Sequence, residues 1–447
     1  MACSPFVSTR TMSYPPAFIQ QVLLRESIRL LASYSWQETV VLESSDLGSL
    51  DEGLTLAEFL REFRLRHAIA TARLLPPIVQ RIEAASSHVA RIERAESRGA
   101  IRGRLDTNRY LARRATLRSL PRRYPIVRNT MSFDTPENML TKWSIEQVRS
   151  AMRDSPFDSK SAETAAATMS LRWATRRLER RPWVDIAAHG LPERLYHDVD
   201  TRIRRRQTGN DDAYRQMLNW YHLWTVDLDR LGFDATQSLV HGLLALPAGE
   251  AFWDKVFEVW CLGLVARTLD NLGWTRIDGP IALHRSGGVV FRYQRPDGCK
   301  VSVRFQRKAP LPAGRWVYRD RRPMGGIPDV SLSEDENVRF PLLIDAKNRF
   351  VRTDRAVRPE ETYKMLGYAE NFRPPVAPQR FSGVLIFPSA QSGGRILDGP
   401  EQGRIDLIFV DLAGERAPAI QALGEAITAW ASPISELAHE LASSDAS

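Results

Sequence analysis

Apolar positions in the first hundred residues recur at helical spacing. Phe18, Val22, Leu23, Ile28 and Leu31 fall near one face of a helix, and from Leu54 to Glu96 only the pair Pro76-Pro77 interrupts the pattern. Prolines 121, 125 and 136 mark a loop between Leu120 and Asn138. Helical spacing resumes from Leu140 to about Leu178 and, after the polar break Gln207 to Asp211, from Ala213 to Leu246. Beyond Pro247 the texture changes. Glu250 to Gly273 predicts one long helix closed by a glycine. Val289–Gln294 and Lys300–Arg307 flank Arg295-Pro-Asp-Gly298, a turn sequence that predicts a hairpin. Ile327–Leu332 and Phe340–Ala346 read as strands joined by the acidic turn Ser333–Asn337. Pro359–Asn371 reads as a helix, Ser382–Pro388 and Ile405–Val410 as strands, and Pro418–Leu441 as a closing helix.

The pattern predicts an α+β protein, a largely helical N-terminal half before a helix–sheet–helix–strand half. Three regions are expected: a helical one over 1–130, a helical middle over 131–246, and a sheet-containing domain over 247–447. The 447 residues and 43% hydrophobic content suit a globular chain. Cys3, Cys261 and Cys299 form neither a disulfide framework nor a metal-binding pair, as expected of a reducing cytoplasm. No apolar run approaches the ~20 residues of a membrane span, and the N-terminus lacks the layout of a secretory signal. The net charge of +9 rests on arginine, since only seven of the 62 basic residues are lysines. A GC-rich genome gives that skew, and so does selection for phosphate contact, to which the planar guanidinium is suited. Charge alone leaves a nucleic-acid partner open.

Candidate chemistry concentrates in Gly326-Ile-Pro-Asp-Val-Ser-Leu332 and Leu342-Leu-Ile-Asp-Ala-Lys347. Residues two apart on a strand share a face, so Asp345 and Lys347 project together and Ile344 and Ala346 face the other way. Asp329, on a neighbouring short strand, can join them. Two carboxylates and an ammonium group at one point suit a hard divalent cation and a phosphate ester. The alternative is a sheet edge with a surface ion pair. Composition yields about one Asp/Glu-x-Lys triplet by chance; the second, Asp158-Ser-Lys160, lies between predicted helices. Glu258 interrupts the apolar run Val256–Val265 and needs a partner there, either a metal or a cation such as Lys255. Asp254, one turn earlier, shares either role. On the helix after the Asp-x-Lys strand, Tyr363, Met365 and Leu366 are expected to pack on the sheet. The alternative places Tyr363, Tyr368 and Lys364 near phosphate, with Glu361 as an extra ligand.

Four segments together resemble the PD-(D/E)XK nuclease superfamily: Phe257-Glu-Val-Trp260, Pro328-Asp-Val330, Ile344-Asp-Ala-Lys347 and Tyr363-Lys-Met-Leu-Gly-Tyr368. In detail they are similar to McrC-type subunits of restriction and defence systems. Upstream, Gly103-Arg-Leu-Asp106 and Phe133-Asp-Thr-Pro-Glu-Asn138 are similar to a helical region preceding the nuclease in such relatives. The resemblance implies an α/β nuclease core, a mixed central sheet flanked by helices, that cleaves DNA with Mg²⁺, for which Mn²⁺ can substitute. Asp329, Asp345 and Glu258 would be the metal carboxylates, with Lys347 at the attacking water. The sequence contains no Gly-x4-Gly-Lys-Ser/Thr loop, so the resemblance implies a separate AAA+ NTPase partner and an isolated chain that is weak or silent. Rival expectations are a nuclease-fold scaffold without turnover and a nuclease acting on RNA.

Overall fold

The computed structural model describes residues 17–35, 56–116, 122–153, 161–187, 190–225, 227, 233–280, 289–306, 319, 321, 327–335, 339–351, 357–371, 381–399 and 403–432. Asp158–Lys160, the tip of the acidic turn at 336–337 and the expected closing helix beyond 432 lie outside the described residues. The chain divides into two compact units, Leu65–Gly242 and Met1–Arg64 with Leu243–Ser447. No helix among the described residues is long and apolar enough to cross a membrane.

The helices α1 (Ala17–Ser35), α2 (Leu56–Ala72) and α3 (Leu75–Ala84) agree with the helical spacing. The helical stretch is interrupted at the proline pair as expected: α2 ends at Ala72, and Pro76-Pro77 lie in the first turn of α3, where proline lacks only a donor that the turn leaves free. The expected helix through Glu96 is instead β1 (Val89–Arg98), followed by β2 (Arg104–Leu105), α4 (Thr107–Thr116) and β3 (Arg123–Ser132) in the expected loop. Val89, Ile92 and Ala95 recur every third residue, which imitates a helix. The ten-residue antiparallel pairing of β1 with β3, from Val89 opposite Ser132 to Arg98 opposite Arg123, overrides that local signal. β2 pairs on the other side of β3, giving the order β1-β3-β2.

The other described elements of this unit are helical. It holds α5 (Pro136–Arg153), α6 (Ala162–Leu178), α7 (Pro192–Arg204), α8 (Asp211–Thr225) and most of α9 (Phe233–Leu244). α5 packs on α6 and α7, and α8 packs on α3 and α7. Met217, Trp220 and Trp224 are buried on α8, as core residues rather than a stacking surface.

The other unit is built on α10 (Glu250–Asn271), which buries residues on nearly all sides, and Gly273 follows it at φ +75°. Eight strands follow: β4 (Thr275–Asp278), β5 (Val289–Gln294), β6 (Lys300–Phe305), β7 (Val330–Glu334), β8 (Leu342–Ala346), β9 (Ser382–Ser389), β10 (Gly393–Asp398) and β11 (Arg404–Asp411). The helix α11 (Pro359–Asn371) lies between β8 and β9 in the chain, and α12 (Ala417–Ala431) closes the described part. Their order in one sheet is β10-β11-β9-β8-β7-β6-β5-β4. The pairs β8/β9 and β9/β11 are parallel and the others antiparallel, so the sheet is mixed. The predicted hairpin is β5–β6. Every residue of β7, β8 and β9 is buried, as expected of central strands covered on both faces. Leu343, Leu385 and Phe387 form one core with Met365 and Tyr368 of α11, while α10 packs on β8 and α12 on β10 and β11.

Candidate functional site

The apolar run Leu342-Leu-Ile puts β8 in the middle of the sheet, and strand alternation then buries Asp345, the next residue, on the face of Leu343. Asp345 is 0% exposed. Lys347, just past the strand, brings its Nζ to 2.5 Å from Asp345 Oδ2, so the two do project together. This is a central strand, which removes the alternative of a surface ion pair on a sheet edge. Lys364 of α11 places its Nζ 2.9 Å from Asp345 Oδ1. Lys347 and Lys364 thus set two positive charges against the buried Asp345 carboxylate.

Asp329 sits immediately before β7, whose pairing sets Val330 opposite Ile344. Its Oδ2 accepts from the Ala346 backbone N–H at 2.7 Å, and its Oδ1 accepts from Gln306 Nε2 at 2.9 Å. The Gln306 N–H donates to the Asp329 carbonyl at 2.9 Å. Gln306 follows β6 directly at φ +49°, a left-handed conformation that costs a non-glycine residue about 1 kcal/mol. Its side chain also donates to Glu258 Oε2 at 2.8 Å, so one amide bridges two carboxylates on different elements. On α10, Lys255 Nζ donates to both oxygens of Glu258 at 3.0 and 2.9 Å. Glu258 thus has the cationic partner that its place in an apolar run requires.

The group is electrostatically crowded. Burial, then the Asp329 carboxylate, push Glu258 up to about 8 against the pull of Lys255. Burial, then Asp345, push Asp329 up to about 6. Burial opposes the charge on Lys364, but Asp345 and Asp329 outweigh it and hold its pKa above the usual lysine range. Both effects have one origin: carboxylates close together in a dry site cannot all ionise cheaply, and each stabilises any cation beside it.

The neighbouring candidates are tied down. Asp254 accepts from Asn348 Nδ2 at 3.1 Å, and burial raises its pKa. Glu361 receives Arg349 Nε at 2.6 Å and Nη2 at 2.5 Å, which fastens the start of α11 to the segment after Lys347. Its carboxylate is engaged there. Of the three α11 residues expected to pack on the sheet, only Met365 does so. Met365 is buried and Tyr368 packs with its hydroxyl donating to the Ile327 carbonyl, but Tyr363 and Leu366 are exposed. Placing Lys364 on the Asp345 side of α11 turns Tyr363 to solvent.

Sequence reasoning missed Gln306 entirely and saw Lys364 only as added charge. Gln306 stands outside every motif, and only the β6–β7 pairing reveals it. Among the described residues no three His, Cys, Asp or Glu side chains form a ready-made metal cage. The donor set nonetheless fits a Mg²⁺-like ion. Such an ion binds through one or two carboxylates and fills its shell with water and phosphate, and Asp345 and Asp329 are buried carboxylates close enough to act on each other electrostatically.

The motifs of the other unit also acquire places. Arg104 and Leu105 form β2, and Asp106 accepts the Arg109 N–H at the start of α4 (3.2 Å), so the first motif is strand and helix cap, not helix interior. In the second, Glu137 is buried against Arg202 (2.9 and 3.2 Å), and Asn138 donates to the Ser87 and Phe133 carbonyls while accepting from Tyr214 at 2.6 Å.

No protein-family model matches the chain, and no curated protein matches it. Among solved structures, the chain is similar to one in the half-complex refined from a tetradecameric assembly of Thermococcus gammatolerans McrB AAA+ hexamers with bound McrC. That likeness has 12% identity and a TM-score of 0.32, and covers 93% of this chain and 78% of that chain.

Proposed function

We propose that the chain is a metal-dependent endonuclease subunit that hydrolyses DNA phosphodiesters in the cytoplasm, within a restriction or anti-phage defence system. The observation that carries the reading is the meeting of Asp329, Asp345 and Lys347 at the ends of two central strands, with Lys364 against the Asp345 carboxylate. The fold reading is a PD-(D/E)XK core, supported by the four sequence segments, two at central strands of the mixed sheet and two on the helices α10 and α11. Asp329 and Asp345 would hold the Mg²⁺, with Glu258 reaching the same cluster through Gln306. When bound, the ion supplies Lewis acidity and a more acidic water. Lys347 orients the attacking water and offsets charge growing on the phosphate, and Lys364 adds a second positive charge at the same place. Ala346 N–H and Gln306 fix the Asp329 carboxylate, so little reorganisation is left for the reaction. The AAA+ partner is supported by the sequence resemblance and would supply the NTP-driven step.

The test incubates the chain, with and without an NTP-hydrolysing partner, with plasmid DNA, linear DNA and RNA in Mg²⁺ or EDTA. DNA cleavage that needs Mg²⁺ and the partner is expected. Cleavage of RNA alone overturns the substrate, and absence of all cleavage by the complete system overturns the enzyme.

A further inference from the structure

Glu258 is the third expected metal carboxylate, yet its surroundings already satisfy it. Both of its oxygens accept from Lys255 Nζ, at 3.0 and 2.9 Å, and Oε2 also accepts from Gln306 Nε2 at 2.8 Å. The side chains of this ion pair are only 15% exposed for Lys255 and 10% for Glu258. A metal ion drawing on Glu258 would displace the ammonium group and leave it buried without its counter-charge, a costly exchange. Gln306 closes the other side. Its Nε2 also donates to Asp329 Oδ1 at 2.9 Å, so one NH₂ group spans the helix carboxylate and the strand carboxylate. Both partners accept, which fixes the amide with its nitrogen towards them. The backbone points the same way. Gln306 holds φ +49°, where a glycine would be unstrained, and its N–H donates to the Asp329 carbonyl at 2.9 Å. A long amide kept at a position that favours glycine indicates a side chain needed for what it reaches.

On the nuclease reading proposed above, we infer that the cluster takes one divalent ion, on Asp329 and Asp345, and that Gln306 and Lys255 fill the place beside Glu258 where a second ion would sit. Glu258 is then an anchor for Gln306 rather than a metal ligand, and Gln306 is a positioning residue that acts through Asp329. Charge supports the count. Glu258, Asp329 and Asp345 are all buried, and Lys255, Lys347 and Lys364 stand against them, so three carboxylates meet three ammonium groups before any ion enters. One divalent ion brings two positive charges, which a phosphodiester and an ionised water offset. A second ion brings two more into a buried site whose carboxylates are already matched. Asp329 keeps room for the first ion. Its Oδ2 accepts from Ala346 N–H at 2.7 Å and its Oδ1 from Gln306, whereas a carboxylate offers about four lone-pair positions.

The test counts Mn²⁺ bound to the full chain by electron paramagnetic resonance, without DNA, so that catalysis does not enter the readout. The wild type is expected to bind one ion per chain, and Asp345→Asn to weaken it by roughly tenfold or more. Lys255→Gln and Glu258→Gln made together remove the ion pair without changing the net charge of the cluster. That double variant should still bind one ion, within about threefold of the wild-type affinity. Gln306→Glu replaces the bridging amide by a further carboxylate and should admit a second ion. Two ions on the wild-type chain would overturn the inference, and so would a loss in the double variant as large as that in Asp345→Asn. A Gln306→Glu chain that melts like the wild type and still binds one ion would overturn the part given to Gln306. Should that variant not fold, the wild-type count and the double variant still decide. A wild type that binds no Mn²⁺, or binding that Asp345→Asn leaves unchanged, would instead overturn the metal reading itself, so the two failures are told apart.

Discussion

Lys364 is the residue whose role changed most between sequence and structure. It lies nineteen positions after Asp345, in a segment whose aromatic neighbours drew the attention, yet its ammonium group is as firmly on Asp345 as that of Lys347. If it offsets charge developing on a phosphate, Lys364→Ala should slow cleavage by the complete system about 10²-fold, and Lys364→Arg should recover part of the loss. Equal rates for all three proteins would remove it from the site. Asp329, Asp345 and Lys347 were legible in advance because strand alternation and an apolar run are local signals. Gln306 was not, because its partners are Asp329 and Glu258, 23 and 48 residues away.

A second residue offers a test remote from metal chemistry. His67 is fully buried on α2, and burial lowers its pKa from 6.5 to about 4, opposed by a backbone hydrogen bond with Leu223. Between those two values the unfolded chain binds the proton and the folded chain does not. The stabilisation is therefore complete above pH 6.5 and is lost as pH falls towards 4. Acidification from pH 7 to pH 5 should cost about 2 kcal/mol through this group. Urea melts across that range should show the slope in the wild type and a correspondingly shallower one in His67→Gln; parallel slopes would reject the assignment.

Among the elements, α11 links packing to chemistry. One side buries Met365 and Tyr368 against Leu343, Leu385 and Phe387, its first turn is fastened by Arg349–Glu361, and Lys364 is thereby directed at Asp345. Met365→Ala should destabilise the fold by about 2–4 kcal/mol, the usual cost of a core cavity. Tyr363→Ala should stay within about 0.5 kcal/mol, because that ring is 62% exposed. Comparable losses in chemical denaturation would mean that the face assignment is wrong.

The elements that sequence reading missed share a cause. β4 and β10 are the outer strands of the eight-stranded sheet as described, and neither has a buried residue. β1 is likewise exposed on most positions. Without a buried face there is no period-two pattern to read, so pairing alone defines these strands. The central strands and the β5–β6 hairpin carried strong local signals, an apolar run in one case and Arg-Pro-Asp-Gly in the other, and they appear where expected.

For the whole molecule, the sequence indicated a helical half and a mixed sheet. It did not indicate that the β1–β3 ribbon would interrupt the helices.

The most direct test of the account is Mg²⁺-dependent cleavage of plasmid DNA by the full chain with its NTP-hydrolysing partner, wild type against Asp345→Asn. Wild-type cleavage that EDTA abolishes is expected, with the variant at least ~10³-fold slower at an unchanged fold. An Asp345→Asn chain that cuts at the wild-type rate would contradict the account.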